Sequence, residues 1–202
     1  MFDIGFQYLP EHSLPFLEIL DITLDRVDKE LLRSFSKSGL PHTLTTLNLD
    51  LSPASSHACY QLLASELGFI AEIFPNLQRL DVPLFMDMSE LRLKEMRRFV
   101  RSSSARPLVK PNSHPLHRLH IKPSYFSADN GGRHMMPASQ HNAETAYVFA
   151  RYLHHVFPCL RQPYIQCPRP DTGDYVWQNI VYSLMNQFFE EESSGDESGA
   201  KD

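Results

Sequence analysis

The sequence predicts an α/β fold in which short parallel strands alternate with helices, and two patterns support this prediction. Segments of the form L-x-x-L-x-[ILV] place apolar residues at alternate positions, which is typical of a half-buried strand. Between these segments, apolar residues recur at spacings of three and four, which is typical of a helix with one buried side. The strand segments begin at Leu17, Leu44, Leu77 and Leu116, and an imperfect fifth begins at Leu160.

The spacing of the strand segments sets the predicted domain organisation. It grows from 27 to 33, 39 and 44 residues, so the strands are constant and the connections vary. One strand–helix unit cannot bury its own apolar side, whereas stacked units share a continuous core. The sequence therefore predicts one domain at residues 15–189, with about five units and an irregular insertion at 123–141. An N-terminal extension at 1–14 precedes it, and a disordered acidic tail at 190–202 follows.

Five helices are expected, each from a capping residue or from an apolar stretch at helical spacing. They begin near Asp28, Ser52, Ser89, Asn142 and Asp174. The second helix is expected to include Leu62 and Leu63, and Pro75 ends it as Pro158 ends the fourth. The last helix is expected to cover the C-terminal end of the domain. Pro163 interrupts the fifth strand, which predicts a sheet edge at that point.

Composition and charge narrow the classes of function. The net charge of −5 argues against a nucleic-acid partner, because such binding depends on neutralising phosphates. No apolar stretch approaches the roughly 18 residues of a membrane span, so no membrane partner is expected. Three widely spaced cysteines and the lack of a secretion signal predict reduced thiols in the cytoplasm or nucleus. Cys159 directly precedes a strand, so its thiol is expected to be buried.

No pattern of catalytic residues stands out. The chain lacks a phosphate-binding glycine loop, a G-x-S-x-G elbow and an H-E-x-x-H pair. His114, His117 and His120 are spaced by three, so on a strand neighbouring ones point to opposite faces and do not share a metal. The prediction is a protein that is not an enzyme, with no catalytic residue, no metal site and no cofactor. An α/β enzyme with a pocket at the carboxyl ends of the strands is the alternative.

The strand segments resemble those of leucine-rich-repeat proteins, and the resemblance covers roughly residues 15–190. The Phe-Pro-x-Leu junctions that end at Leu77 and Leu160 look most like the irregular repeat regions of fungal F-box-type proteins. The resemblance implies a solenoid with short parallel strands on its concave side and helices on its convex side. The chain departs from the family where an asparagine usually follows the strand, because it is absent after Leu49, Val82 and Ile121.

The resemblance also implies a protein–protein interaction module whose concave face binds an unknown protein partner. By the same resemblance it is the substrate-recognition part of an F-box-type ubiquitin ligase adaptor, with a Skp1-like adaptor as partner if a longer chain carries an F-box. No complete F-box precedes the first strand at Leu17. Alternate strand residues would face the partner, and Pro83 belongs to this set. The predicted partner-binding residues run from acidic to basic along the chain: Asp21, Thr46, Asn48, Asp50, Arg79, Asp81, Arg118, His120, Lys122 and Tyr164.

Overall fold

The computed structural model describes ten ranges of the chain. They are residues 17–25, 27–37, 42–51, 62–104, 114–123, 126–127, 133–134, 137–161, 163–166 and 173–195. Within these ranges the chain folds as an α/β domain with one mostly parallel sheet of six strands. Within the same ranges, no helix is both long and apolar enough to cross a membrane.

The strands of the sheet lie side by side in the order in which they occur along the chain. Their order is β1-β2-β4-β5-β8, all neighbours are parallel, and β3 pairs with the end of β4. The predicted parallel strands are thereby confirmed. A separate antiparallel ribbon joins β6 and β7 inside the predicted insertion. The strands are β1 (Ile19–Leu24), β2 (Thr46–Leu51), β3 (Leu62–Leu63), β4 (Arg79–Phe85), β5 (Arg118–Pro123), β6 (Phe126–Ser127), β7 (Arg133–His134) and β8 (Tyr164–Ile165).

The starts of β2, β4 and β5 are each fixed by the preceding strand in the sheet order through the same hydrogen-bond arrangement. At three successive junctions, one carbonyl oxygen accepts from two consecutive amides of the next strand, at N···O distances between 2.8 and 3.2 Å. The three acceptors are the carbonyls of Glu18, Thr45 and Gln78. Because the arrangement repeats, equivalent positions of successive strands become lateral neighbours.

One face of the sheet is covered by the helices and forms the core. On this covered face the inner strands bury their alternate residues completely, namely Leu47, Leu49, Leu80, Val82, Leu119 and Ile121. In β1 the equivalent residues Leu20 and Ile22 are only half-buried. The helices are α1 (Lys29–Ser36), α2 (Leu67–Ile73), α3 (Glu90–Ser104), α4 (Ala143–Val156) and α5 (Gly173–Gly195).

Two helices end in the same turn, as the repeated Phe-Pro-x-Leu sequence indicates. The amide of Phe74 donates to the Ile70 carbonyl at 2.9 Å, and the amide of Phe157 donates to the Leu153 carbonyl at 2.8 Å. Both phenylalanine side chains are fully buried. The proline that follows each of them starts the turn that leads to the next strand, so the predicted helix ends are confirmed.

The predicted helix starts are partly confirmed. The side chain of Asn142 accepts from the Thr145 amide at 3.0 Å and caps α4. Ser89 directly precedes α3, whose first turn is bonded to its carbonyl. Asp174, which was expected to cap the last helix, instead lies inside the first turn of α5. Ser52 lies outside the described residues.

The prediction of a helix through Leu62 and Leu63 is wrong, since both residues form β3. The ladder between β2 and β4 ends at Asn48 and Asp81, and β4 continues to Phe85. The free edge of β4 therefore pairs with Leu62 and Leu63. Pairing of these edge amides outweighs the helical spacing of the leucines, and α2 begins only after a 3-10 turn.

Two predictions near the C-terminus also differ from the structure. The helix α5 continues through Glu190–Gly195, which the sequence assigned to a disordered tail, and a side-chain bond from Gln187 to Glu191 lies along this part. Residues 196–202 lie outside the described ranges. The thiol of Cys159 is exposed rather than buried, because it occupies the turn after Pro158 and not the strand itself.

The last helix packs against the helix before it and against the last strand of the sheet. Helix α5 lies against α4 and buries Trp177, Val181 and Met185 completely or almost completely. Its Tyr182 hydroxyl accepts a hydrogen bond from the amide of Ile165 at 3.0 Å. Strand β8 is only two residues long and pairs on one side with β5, as the proline at position 163 indicated.

Candidate functional site

The candidate site is the face of the sheet opposite the helices, which we call the open face. It carries the alternate residues of the strands that do not point into the core. All ten predicted partner-binding residues occupy positions of this set, and none of them is fully buried. They are Asp21, Thr46, Asn48, Asp50, Arg79, Asp81, Arg118, His120, Lys122 and Tyr164.

A continuous row of side chains crosses the middle of the open face. Strand register places Asp21, Asn48, Asp81, His120 and Tyr164 side by side on five neighbouring strands. The His120 Nδ1 atom lies 3.3 Å from Asp81 Oδ2, and the His120 ring packs edge-on against the Tyr164 ring at 4.8 Å. The sequence pattern predicted the membership of this row but not its internal contacts.

Two polar atoms of this row lack a partner in the part of the chain that the structure describes. Asp81 Oδ1 and His120 Nε2 are both shielded from solvent and make no hydrogen bond. An unpaired buried polar atom is costly, at about 1–3 kcal/mol for the group. At the centre of the open face, these two atoms could therefore accept or donate hydrogen bonds that the described residues do not supply.

A lysine bridge crosses the open face beside this row. Lys122 Nζ lies 2.7 Å from Asp50 Oδ1 and 3.1 Å from Asn48 Oδ1, although β4 separates β5 from β2. The register partner of Lys122 on β4 is Pro83. The alkyl chain of the lysine therefore crosses the proline, which is buried. The expectation that Pro83 is exposed is wrong for this reason.

Two arginines form a second row next to the first. Arg79 and Arg118 are register partners on neighbouring strands, and both are exposed. Thr46 and Ile19 continue this row on β2 and β1. Neither arginine forms an ion pair with any other described residue. The charge of Asp50 is thus compensated by Lys122, whereas the two arginines keep their charge without an ion-pair partner among the described residues.

The helix side contains a polar cleft of about 450 Å³ near the first turns of α1 and α3. Its charged lining residues, except the exposed Glu72, pair with one another or with Asp87. Lys29 lies 3.8 Å from Glu66, and Arg92 lies 2.9 Å from Glu95 and 3.6 Å from Asp87. The hydrogen bond to Glu95 raises the pKa of Arg92. This network stabilises the packing of the helix starts and leaves these groups committed to one another.

Sequence reasoning missed a second buried polar pair. His141 Nε2 lies 2.6 Å from Asp174 Oδ1, and the aspartate is fully buried. Nearby, the indole of Trp177 donates to the Thr145 hydroxyl at 2.9 Å. These bonds join the start of α4 to the start of α5. No local sequence pattern predicts this pair, because the two residues lie 33 positions apart.

The closely spaced histidines lie in three different surroundings. His114 is half-buried in a loop, where its Nε2 lies 3.0 Å from the Phe74 carbonyl and its Nδ1 accepts from the Leu116 amide. Burial lowers the pKa of His114. His117 is exposed, and His120 belongs to the open face. Within the described ranges, no group of three or more metal-ligating side chains converges.

Comparisons of the chain with protein-family models, with curated proteins and with solved structures found no match. The resemblance to leucine-rich repeats therefore rests on the strand segments and junctions of this chain alone.

Proposed function

We propose that the chain is a protein-interaction module that binds a partner protein through the open face. The observation that carries this proposal is a parallel sheet whose second face has no helix layer within the described residues. Parallel sheets are ordinarily covered on both faces. Here one face carries charged and aromatic side chains in aligned rows, which suits recognition better than packing.

We further propose that the strand–helix units form a leucine-rich-repeat-like solenoid with the open face on its concave side. The support is the sequential strand order and the repeated carbonyl arrangement at Glu18, Thr45 and Gln78. The repeated turns at Phe74 and Phe157 add to it. Solenoids of this kind use their concave surface for binding.

The size and chemistry of the open face suit part of a protein interface. The four longer strands, each about 20 Å in length and about 4.8 Å apart, span roughly 400 Å², and the two-residue β8 adds little to this area. That is about half of what one partner contributes to an interface of standard size. Ile19 and Tyr164 supply exposed apolar surface at its two edges, at 63% and 58% exposure, with charged residues between them.

The resemblance to F-box-type proteins suggests a more specific role. In this proposal the module is the substrate-recognition part of a ubiquitin ligase adaptor, and an F-box in a longer chain binds a Skp1-like subunit. Affinity capture of the full-length gene product from its own cells should then recover a Skp1-like subunit. Capture of other partners without that subunit would contradict the ligase role and leave the interaction module standing.

The enzymatic alternative receives less support from the geometry. It requires free polar groups in a pocket at the carboxyl ends of the strands. The polar cleft beside the first turns of α1 and α3 lies on that side, but four of its five charged lining residues are paired with one another, and only the exposed Glu72 has no ion pair among the described residues. We therefore propose a role in binding and not in catalysis.

Site-specific photocrosslinking tests the interaction module directly. A photoreactive amino acid replaces Tyr164 on the open face or, as a matched control, Leu91 on α3. The two positions have similar exposure, at 58% and 62%. We expect irradiation of cells to crosslink a specific protein at position 164 and not at position 91. Equal capture at both positions, or capture only at position 91, would contradict the proposal.

A further inference from the structure

The charges that remain free on the open face identify the chemistry of its partner. Lys122 is held by Asp50, and His120 lies against Asp81. Two exposed cations are left without a carboxylate among the described residues, and these are Arg79 and Arg118. The unpaired positive charge is therefore confined to the row of Arg79 and Arg118, because Asp21, Asp50 and Asp81 balance the three cations of the open face as a whole.

The two arginines are placed where they repel each other. Residues in register on neighbouring strands have Cα atoms about 4.8 Å apart, and like charges at such positions destabilise a sheet. Asp81 lies two residues from Arg79 on the same face, but its Oδ2 faces His120. A bound anionic group would relieve this repulsion, so binding and the stability of the strand pair are coupled.

We propose that the partner presents an acidic peptide segment, with two Asp or Glu side chains held by Arg79 and Arg118. This inference rests on the proposed role of the open face as a protein-binding surface. Guanidinium groups bind carboxylates through two parallel hydrogen bonds, which gives both affinity and orientation. Side chains on one side of an extended peptide repeat at about 6.6 Å. This peptide spacing exceeds the strand spacing of about 4.8 Å by about 2 Å. The long arginine side chains can span this difference.

The same row also supplies a contact for an apolar residue of the peptide. Ile19 occupies the position of this row on β1, two strands away from Arg79, and it is 63% exposed. Two strand spacings amount to about 10 Å, which is the length of about three residues of extended chain. Only even offsets return to the same side of an extended peptide, so the segment that fits carries an apolar residue two or four positions from the nearer acid.

A nucleic acid fits this face less well than an acidic peptide. Asp21, Asp50 and Asp81 lie on the same face, and they would repel a strand that carries one phosphate per nucleotide. A short peptide can place two carboxylates at the arginines and neutral residues at the aspartates. The open face is therefore complementary to two neighbouring carboxylates and not to a long run of negative charge.

Fluorescence anisotropy with labelled decapeptides tests this inference. One peptide set carries an isoleucine and an acidic pair at the stated spacing, a second set replaces the acids by Asn and Gln, and a third replaces them by Lys. We expect the acidic set to bind at least about tenfold more tightly than the amide set. We also expect its binding to weaken as salt rises.

Charge reversal provides the decisive variant. Arg79→Glu with Arg118→Glu should lose the acidic peptides and bind the lysine peptides instead. The matched control is Arg98→Glu with Arg101→Glu on α3, which changes the net charge equally at exposed positions of the helix layer. It should keep the preference for the acidic set. If the reversed protein does not fold, Arg79→Gln with Arg118→Gln should still abolish the preference.

Several outcomes would overturn the inference. They are equal binding of acidic and amide peptides, unchanged acidic binding after charge reversal, binding that appears only with phosphoserine in place of the acids, and tighter binding of a labelled single-stranded oligonucleotide. Each of these leaves the crosslinking test at position 164 intact. Failure of the acidic segment is thus separable from failure of the interaction module.

Discussion

The two faces of the sheet are made by the same strands, yet they follow different rules. On the covered face, lateral neighbours are interchangeable apolar residues, as Leu47, Leu80 and Leu119 are in register and all fully buried. On the open face, neighbours differ in kind and make specific contacts, as His120 does with Asp81. The covered face specifies how strands stack, and the open face is free to specify what is recognised.

The largest effect on stability is expected when two adjacent residues of β4, which lie on opposite faces of the sheet, are compared. Leu80→Ala should lower the free energy of unfolding by about 2–5 kcal/mol, because it leaves a cavity in the core. Arg79→Ala, one residue earlier and exposed, should change it by about 0.5 kcal/mol or less. Urea unfolding followed by circular dichroism measures both. Similar losses for the two variants would show that the open face is also part of the stabilising core.

A smaller effect on stability is expected for the hydrogen bonds of Tyr152, which lie within the helix layer over the covered face. The buried Tyr152 hydroxyl donates to the Ser65 carbonyl at 2.8 Å and accepts from the Gly68 amide at 2.7 Å. Burial raises the pKa of Tyr152 well above its ordinary value. Tyr152→Phe should cost about 1–3 kcal/mol in the free energy of unfolding, because both backbone groups lose their partner.

The control for that variant lies on the same helix. Tyr147 is 40% exposed, and its hydroxyl accepts from Arg151 at 3.1 Å. Tyr147→Phe should change the free energy of unfolding by about 0.5 kcal/mol or less. A loss of the same size in both variants, measured by thermal or urea unfolding, would mean that burial is not what makes the Tyr152 link important.

A still smaller effect is expected for the lysine bridge on the open face. A double-mutant cycle with Lys122→Met and Asp50→Asn should give a coupling energy of about 0.2–1 kcal/mol that declines with added salt. The more exposed pair of Lys94 and Glu90, 3.8 Å apart on α3, should give a coupling near zero. A larger coupling in that helix pair would contradict the view that the bridge organises the open face.

The last prediction concerns a residue that belongs to neither face. Burial lowers the pKa of His114 below its ordinary value of 6.5, so the unfolded chain binds the proton more readily than the folded protein. Stability should therefore be complete above pH 6.5 and should fall as the pH drops through the lowered pKa. His114→Gln should reduce this loss, and His117→Gln, at an exposed position, should not.

Unfolding midpoints in urea, measured above and below pH 6.5, test this expectation. Burial also lowers the pKa of His155, so some loss of stability should remain after substitution of His114. An identical decline in the protein with and without His114 would show that its imidazole does not control the acid response.

Local patterns in the sequence predicted those features that depend on local physics. The strand segments, the cap at Asn142 and the turns after Phe74 and Phe157 each follow from a few neighbouring residues. Alternation alone also assigned the ten side chains to the open face. These features needed no knowledge of which strands would be neighbours.

The features that were missed depend on contacts between distant parts of the chain. Strand β3 exists because β2 stops pairing with β4 after Asn48, and the leucine spacing at 62 and 63 does not encode where that pairing ends. Burial of Pro83 requires Lys122 to reach across it to Asp50, 72 residues from the lysine. The pair of His141 and Asp174 likewise has no local signature. Such contacts become predictable only when the strand register is known.

The repeated carbonyl arrangement at Glu18, Thr45 and Gln78 has a consequence for how this protein can change over generations. Since β2, β4 and β5 are each anchored by the preceding strand in the sheet order and not by the length of the intervening connection, residues can be gained or lost between them without relocating a recognition side chain. New specificities are then accessible by substitution at single alternate positions, while the scaffold absorbs insertions elsewhere.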